Sequence, residues 1–304
     1  MQSGVFMLRM LGESCYARVM TDSFGKDGAS GPAVRHLASA DGWSLDEFAC
    51  RAGPGDRSFE ERHVAVSIAA VVEGSFTYAT DTGRALLHPG ALLLGNHGAC
   101  YRCGHDHGAG DHCVSLQMSP EYFAEIAATA AGSSRFRFPV AMLPPGRVIL
   151  SQSTVLATRA ALHNPIAREE GAIALAAAVT RLCSDNAPSP VRVSALDERR
   201  VGRVLRYMDG HADQALDLGR LAAVAAMSKF HFLRVFRRSI GMTPYQYLLS
   251  LRLRRVASRL LTSPNTVSKI AFESGFGDLS TFNATFRNAF GMSPTAFRRK
   301  SIPL

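Results

Sequence analysis

The residues of this chain best suited to chemistry are histidines and cysteines gathered in one short stretch. Seven of them fall between positions 97 and 113: His97, Cys100, Cys103, His105, His107, His112 and Cys113. A Cys-x2-Cys spacing with histidines nearby is typical of sites for Zn²⁺ or a softer metal. The candidate metal ligands are therefore Cys100, Cys103, His105, His107, His112 and Cys113.

The same stretch has an interpretation that needs no metal. Side chains alternate along a strand, so a strand over 99–103 would place Cys100 and Cys103 on opposite faces. Buried cysteines also pack as small apolar groups. We therefore predict no cofactor, and a metal or thiol sensor built on Cys100–Cys113 stays as the alternative.

Catalytic motifs are scarce elsewhere. The patterns G-x-S-x-G, the P-loop and H-E-x-x-H do not occur. The adjacent carboxylates Asp46-Glu47 and Glu60-Glu61 would point apart in a strand, so they are interpreted as surface residues. The sequence predicts that this chain is not an enzyme.

The first half of the chain has the pattern of short strands. Apolar or alternating runs at 64–72, 75–79, 84–88 and 91–94 are separated by close turn signals such as Glu73-Gly74 and Pro89-Gly90. Many short runs with close turns are typical of an antiparallel barrel or sandwich.

The pattern changes after residue 146. The segments 148–163 and 167–183 are rich in Ala and Leu and lack alternation, which predicts two helices joined at Asn164-Pro165. This pair either forms a dimer interface or packs on its own sheet. A polar stretch with two prolines then follows, from Cys183 to Ser194, which favours a linker.

Charge is distributed unevenly over the 304 residues, a length that favours two domains. Residues 197–300 carry 18 Lys and Arg against 7 Asp and Glu, whereas the remainder carries 16 against 18. The last third is therefore predicted to meet a polyanion. We expect a cytoplasmic protein with reduced thiols, since neither a membrane span, a signal peptide nor a disulfide framework is recognisable.

The basic third contains an internal repeat. Gly241-Met-Thr-Pro244 and Gly291-Met-Ser-Pro294 lie 50 residues apart, and Phe232 and Phe236 have counterparts at the same offset. Each unit is predicted as a helix, a tight turn and a second helix, with Met227-Ser228 making the first turn. The sequence thus indicates two helix-turn-helix motifs.

Helical spacing separates the faces of each second helix. Phe232, Val235 and Phe236 should face the core, as should Phe282 and Phe286. The other face has dimensions that fit a major groove. The predicted DNA-contacting residues are Ser228, Lys229, Phe230, Leu233, Arg234, Arg237, Ser280, Thr281, Ala284, Arg287 and Asn288. Arg234 is the strongest candidate for a base contact, with a phosphate contact as the alternative.

A helix over 244–261 connects the two units, and its apolar stripe includes Leu253 and Leu260. Its length of about 27 Å approaches one DNA turn of about 34 Å. A strut of this length would set two recognition helices in successive grooves. Arg252, Arg254, Arg255 and Arg259 lie along it, either against phosphates or on a solvated face.

These features together resemble the DNA-binding domain of the AraC/XylS family of transcription regulators. The resemblance covers residues 196–300. The matching residues, in the family's order and spacing, are Leu221-Ala222, Met227-Ser228, Phe236, Gly241–Pro244, Tyr247, Arg252-Leu253, Ala257, Leu260-Leu261, Ile270-Ala271, Gly275-Phe276, Ser280, Phe282, Phe286-Arg287, Phe290-Gly291 and Ser293-Pro294. Ala284 and Leu233 depart from the polar residues usual there, so phosphate contacts and DNA shape would supply more of the recognition.

The resemblance implies a fold and partners. The expected fold class is α+β multidomain: a cupin-like antiparallel β-barrel with trailing helices, then an all-α seven-helix domain with two helix-turn-helix motifs. The implied domains are an effector-sensing and dimerisation domain over 1–183, a linker over 184–195 and a DNA-binding domain over 196–304. The implied partners are double-stranded promoter DNA, RNA polymerase, an unknown small effector and a second copy of the chain, and the implied role is that of a ligand-responsive activator. A cupin enzyme fused to a DNA-binding tail is the weaker alternative.

Overall fold

The computed structural model describes residues 32–54, 56, 60–105, 110–145, 165–185 and 193–301. The N-terminal part is built from strands β1 (Ala33–Ala40), β2 (Trp43–Cys50), β3 (Glu60–Arg62), β4 (Val66–Gly74), β5 (Phe76–Thr80), β6 (Gly83–Leu87), β7 (Leu92–Gly95), β8 (Cys100–Gly104), β9 (Asp111–Met118) and β10 (Met142–Leu143). The strand runs predicted from residue 64 to residue 94 are confirmed.

These strands form two antiparallel sheets. One has the order β1-β2-β9-β4-β7-β10 and the other the order β3-β8-β5-β6. No ladder joins their edges within the described residues, so the closed barrel expected from the resemblance is not what this region forms. The edge strands β3 and β10 are only three and two residues long. The strands therefore stay in two separate layers.

The six-stranded sheet is covered on both faces. Along β4, Ile68 packs in a core with the helices that follow the strands, while Ala69 packs in a second core against the four-stranded sheet. This explains why β4 is a continuous apolar run rather than an alternating one.

Helices α1 (Pro120–Ala131) and α2 (Pro165–Asp185) cover the outer face of that sheet. Ser119 caps α1, and Gly132 ends it in the left-handed conformation with φ 70°. The helix predicted at 167–183 is confirmed and packs on its own sheet through Leu175 and Val179. The helix predicted at 148–163 lies outside the described residues, as does most of the predicted linker.

The C-terminal part is helical. Its helices are α3 (Ala195–Gly210), α4 (Leu218–Val224), α5 (Lys229–Ile240), α6 (Pro244–Thr262), α7 (Val267–Glu273), α8 (Leu279–Phe290) and α9 (Pro294–Ser301). Helix α6 is shared by two hydrophobic cores. Its first half, with Tyr247 and Leu251, packs with α3, α4 and α5, and its second half, with Val256 and Leu260, packs with α7, α8 and α9.

The two parts of the chain are in contact. The Arg84 guanidinium donates to both carboxylate oxygens of the buried Glu198, at 2.8–3.2 Å. Leu86 inserts into the first helical core. The ring of the fully buried His88 meets Tyr247 edge-on, with centroids 5.3 Å apart. The first helix-turn-helix unit is therefore in direct contact with the four-stranded sheet. Among the described helices, none is long and apolar enough to cross a membrane.

Candidate nucleic-acid interface

The second helix of each repeat unit begins and ends by the same chemistry. Ser228 caps α5 by accepting from the His231 N–H, and Asp278 caps α8 by accepting from the Thr281 N–H. The hydrogen bonds with Thr281 also lower the pKa of Asp278. Gly241 and Gly291 end the two helices in the left-handed conformation, with φ of 80° and 72°. Both helices are 12 residues long and start 50 residues apart, so the predicted duplication is confirmed.

The turns that precede these helices also match. In the second unit Gly275 has φ 93°, and its N–H donates to the Phe272 carbonyl at 3.0 Å. In the first unit the equivalent residue is Ala226, with φ 50° and a 2.9 Å bond to the Ala223 carbonyl. The left-handed residue of the first turn is thus one position before the predicted Met227-Ser228.

The core residues predicted on both helices are confirmed, because Phe232, Phe236, Phe282 and Phe286 are fully buried. The predicted contact face of α5 is exposed at Lys229, Phe230, Arg234 and Arg237, and partly buried at Leu233. Phe230 is 88% exposed. Aromatic side chains are seldom this exposed unless a binding partner covers them. The Arg234 guanidinium bonds with the His231 ring at 3.1 Å across the outer face.

The predicted residues of α8 are also exposed: Ser280, Thr281, Ala284, Arg287 and Asn288. Asn283 is exposed beside them, and sequence reasoning missed it. The signal was the repeat itself, because Asn283 lies 50 residues after Leu233. A carboxamide can donate to and accept from an adenine edge, which the side chains of Leu233 and Ala284 cannot do.

The four arginines of α6 all have bonding partners within the chain. Arg252 donates to the carbonyls of Ala212 and Gln214, at 2.7 and 2.8 Å. Arg255 pairs with Asp209, and Arg259 with Glu273. Arg254 donates to the Ser250 carbonyl and lies against Gly90 of the N-terminal part. Arg252, Arg255 and Arg259 thus bond to segments outside α6 and are not free on a solvated face. Contact of these arginines with phosphates stays a prediction.

Within the described part of the chain, the predicted metal ligands do not form one group. Cys100 is exposed on β8, and His97 bonds to the Val64 carbonyl at 3.0 Å. His112 pairs with Glu47 at 2.6 Å. His107 lies outside the described residues. Cys100 and Cys103 lie three residues apart on one strand, on opposite faces, as the interpretation without metal required.

A different group forms around Asp111. Its carboxylate bonds with His105 at 2.7 Å and accepts from the Cys113 thiol at 3.4 Å. Cys50, which lies outside the predicted cluster, completes a set with His105 and Asp111 whose donor atoms all lie within 4.8 Å of one another. Burial alone would lower the pKa of His105, but the bonds with Asp111 and Cys50 outweigh it and raise the pKa to about 9.

A cavity of about 550 Å³ opens near the same end of the six-stranded sheet. Its polar lining includes Arg35, Glu47, Glu73 and His112. The hydrogen bond from Arg35 lowers the pKa of Glu47, and the bond with His112 adds to this effect. The carboxylate interpreted from sequence as a plain surface residue therefore lies in a charged cavity wall.

Two equally built, solvent-facing helices joined by one strut are the arrangement expected of two helix-turn-helix motifs. Residues 221–300 match the family model described as a helix-turn-helix domain. The MmsAB operon regulatory protein of Pseudomonas aeruginosa is 33% identical over 119 residues, which are 39% of this chain and 38% of that protein. The probable transcriptional regulator LumQ of Photobacterium leiognathi is 25% identical over 203 residues, or 61% of this chain and 81% of that protein.

Among solved structures, the DNA-binding domain of AdpA in complex with a target DNA is 32% identical, with a TM-score of 0.32; the match covers 33% of this chain and 91% of that one. The family-model match lies within the helical domain. The chain spans little more than a third of the length of the MmsAB regulator that it matches.

Proposed function

We propose that this protein is a sequence-specific transcription regulator that binds double-stranded promoter DNA with α5 and α8 in successive major grooves. The observation that carries the proposal is the duplicated helix, capped at equivalent positions by Ser228 and Asp278 and exposed on its outer face. The strut α6 has 19 residues and a length of about 28 Å, close to one DNA turn of about 34 Å.

The contact residues proposed are those of the two exposed faces. On α5, Arg234 contacts base edges while Lys229 and Arg237 contact phosphates, and the exposed Phe230 ring packs on a thymine methyl. On α8, Asn283 joins the predicted Ser280, Thr281, Arg287 and Asn288. Ser228 and Asp278 position the helices through their caps.

The N-terminal part is proposed as the effector-sensing and dimerisation domain, with its boundary after residue 183. The cavity supports this role, because about 550 Å³ lies within the usual range for small-molecule sites. Its lining pairs Arg35 with Glu47 and Glu47 with His112, so a polar or charged effector can exchange one of these pairs for its own groups.

Contacts between the two parts supply a route for regulation. The Arg84–Glu198 pair and the His88–Tyr247 ring contact join the four-stranded sheet to α3 and α6. The ring centroids of Tyr247 and Phe236 are in turn 6.0 Å apart. Phe236 lies on the buried side of the recognition helix α5. A shift of the sheet would therefore be transmitted to the orientation of α5.

The wider role is proposed from the family resemblance. It is a cytoplasmic, effector-responsive activator that engages RNA polymerase, acts as a homodimer and has no enzymatic activity. We also propose that the DNA-binding domain is a seven-helix domain. The sensing domain is proposed to be cupin-like, with its strands in two sheets.

The test is selection of DNA from a random pool by the full chain. We expect enrichment of an asymmetric site with two conserved blocks about one helical turn, roughly 10 base pairs, apart. Enrichment of no common sequence would overturn the proposal.

The Phe230→Ala and Asn283→Ala variants serve to assign the blocks. Each should relax sequence preference in a different block, because the two residues lie on different recognition helices. Arg137→Ala, on the N-terminal part beside Asp81, is the matched control and should enrich the same site as the original chain.

A further inference from the structure

We propose that the open end of the space between the two sheets is a Zn²⁺ site with Cys50, His105, Asp111 and Cys113 as ligands. The proposal concerns metal binding by the N-terminal part and does not rest on the proposed DNA-binding function.

Three of the four ligand atoms are already gathered, and the fourth lies next to one of them. The donor atoms of Cys50, His105 and Asp111 lie within 4.8 Å of one another, and the Cys113 sulfur lies 3.4 Å from an Asp111 oxygen. Ligands around a tetrahedral Zn²⁺ lie about 3.3–3.8 Å apart, because the ion is about 2.0–2.3 Å from each. Small side-chain movements therefore suffice to enclose an ion.

Strand register explains why these residues meet. Cys50 pairs with Asp111 across β2 and β9, so their side chains emerge on the same face, and Cys113 follows on that face two residues later. His105 comes directly after β8 of the other sheet. The ion would thus join both sheets.

Two glycines bring the backbone segments close together at this end. A Cβ on Gly110 would lie 2.4 Å from the Cys50 carbonyl oxygen, and a Cβ on Gly74 would lie 2.4 Å from the Gly110 carbonyl oxygen. The Gly110 N–H donates to the Ala52 carbonyl at 2.8 Å, and the Ala52 N–H contacts the Cys50 sulfur at 3.4 Å. Close backbone contacts therefore fix the positions from which the Cys50 and Asp111 side chains emerge.

The donor set selects the type of ion. Two thiolates and an imidazole are soft or borderline ligands that favour Zn²⁺ and disfavour Mg²⁺ and Ca²⁺, which require oxygen ligands. The His105 ring also stacks near Phe76, with centroids 5.7 Å apart, which restricts its orientation. His105 and Asp111 side chains are each only 8% exposed, so the ion would be largely shielded from water.

Cobalt provides the direct test, because Co²⁺ substitutes for Zn²⁺ and absorbs light through its thiolate ligands. The full chain, purified without a histidine tag, treated with chelator and kept reduced, would be titrated with Co²⁺. We expect thiolate-to-cobalt absorption that saturates at one ion per chain and is abolished by stoichiometric Zn²⁺. Absence of that absorption would overturn the proposal.

Variants identify the ligands. Cys50→Ser and Cys113→Ser should each remove part of the absorption, and the double variant all of it. His105→Gln and Asp111→Asn should each weaken Co²⁺ binding by roughly tenfold or more.

Cys100→Ser is the matched control, since Cys100 is an exposed cysteine of β8 and lies outside the cluster. It should bind Co²⁺ with unchanged spectrum and affinity; equal losses in Cys100→Ser and Cys50→Ser would contradict the assignment. Far-ultraviolet circular dichroism establishes that each variant is folded, and DNA binding by the same preparations keeps a failure here separate from a failure of the proposed function.

Discussion

At the scale of single residues, Arg234 is the exposed cation placed at the centre of the outer face of α5. The equivalent residue of the second unit is Ala284, so the two helices differ in charge at this position. A bidentate arginine discriminates guanine, whereas a phosphate contact is indifferent to sequence. The distinction decides how much of the specificity resides in α5.

We expect Arg234→Ala to weaken binding to the selected site by about 1–3 kcal/mol and to relax preference at one base pair, because we propose that its guanidinium contacts a base edge. Competition with single-base variants of the site measures both effects. Arg234→Lys keeps the charge and should retain the salt dependence while losing the base preference. A uniform loss on all sequences, with a salt slope reduced by about one, would assign Arg234 to a phosphate instead.

At the scale of elements, the two helix-turn-helix units differ in one backbone detail. The left-handed turn residue is Gly275 in the second unit and Ala226 in the first. An L-residue pays a steric cost in that conformation, because its Cβ approaches the backbone, and glycine does not. The first unit therefore holds a strained turn directly before the recognition helix α5.

We expect Ala226→Gly to raise the free energy of unfolding by about 0.5–1 kcal/mol, since it relieves this strain. The reciprocal variant Gly275→Ala should lower it by more than about 1 kcal/mol, because the new Cβ would lie 2.6 Å from the Ala212 carbonyl oxygen. Urea unfolding of both variants gives the comparison. Destabilisation by Ala226→Gly would show that the turn is not strained in solution.

At the scale of the whole molecule, the contact between the two parts contains buried polar groups. His88 is fully buried; burial lowers its pKa to about 3, and the nearby Arg254 adds to that effect. Burial likewise raises the pKa of Tyr247 to about 12. His88 is therefore neutral in the folded protein at ordinary pH. Mild acid protonates its ring only in the unfolded chain.

This assignment predicts how acid destabilises the protein. Below the ordinary pKa of 6.5 the unfolded chain gains a proton on His88 that the folded chain cannot accept, so stability is lost as pH falls from 6.5 towards 3. We expect His88→Phe to lose about 1.6 kcal/mol less than the original chain between pH 6.5 and pH 5. His63, whose pKa burial lowers to about 4, is present in both proteins and cancels in the comparison. If the free energy of unfolding falls equally with pH in both proteins, His88 is hydrated at the contact between the two parts of the chain.

The sequence by itself determined the helical domain almost completely. Its helices follow from local signals: capping residues such as Ser228 and Asp278, closing glycines such as Gly241, and apolar positions spaced for one face. The repeat doubled every signal, and it also contained the missed residue Asn283. These features are local or periodic, so a linear sequence records them.

Tertiary structure decided the rest, because it depends on which strands pair and which surfaces meet. Cys50 and Asp111 are 61 positions apart in sequence and become neighbours only through the register of β2 with β9. The same is true of the two-sheet arrangement, the charged cavity wall around Glu47 and the bonds of the α6 arginines. Each depends on residues that are distant in sequence. The contact of His88 with Tyr247 joins two domains that the sequence could describe only separately.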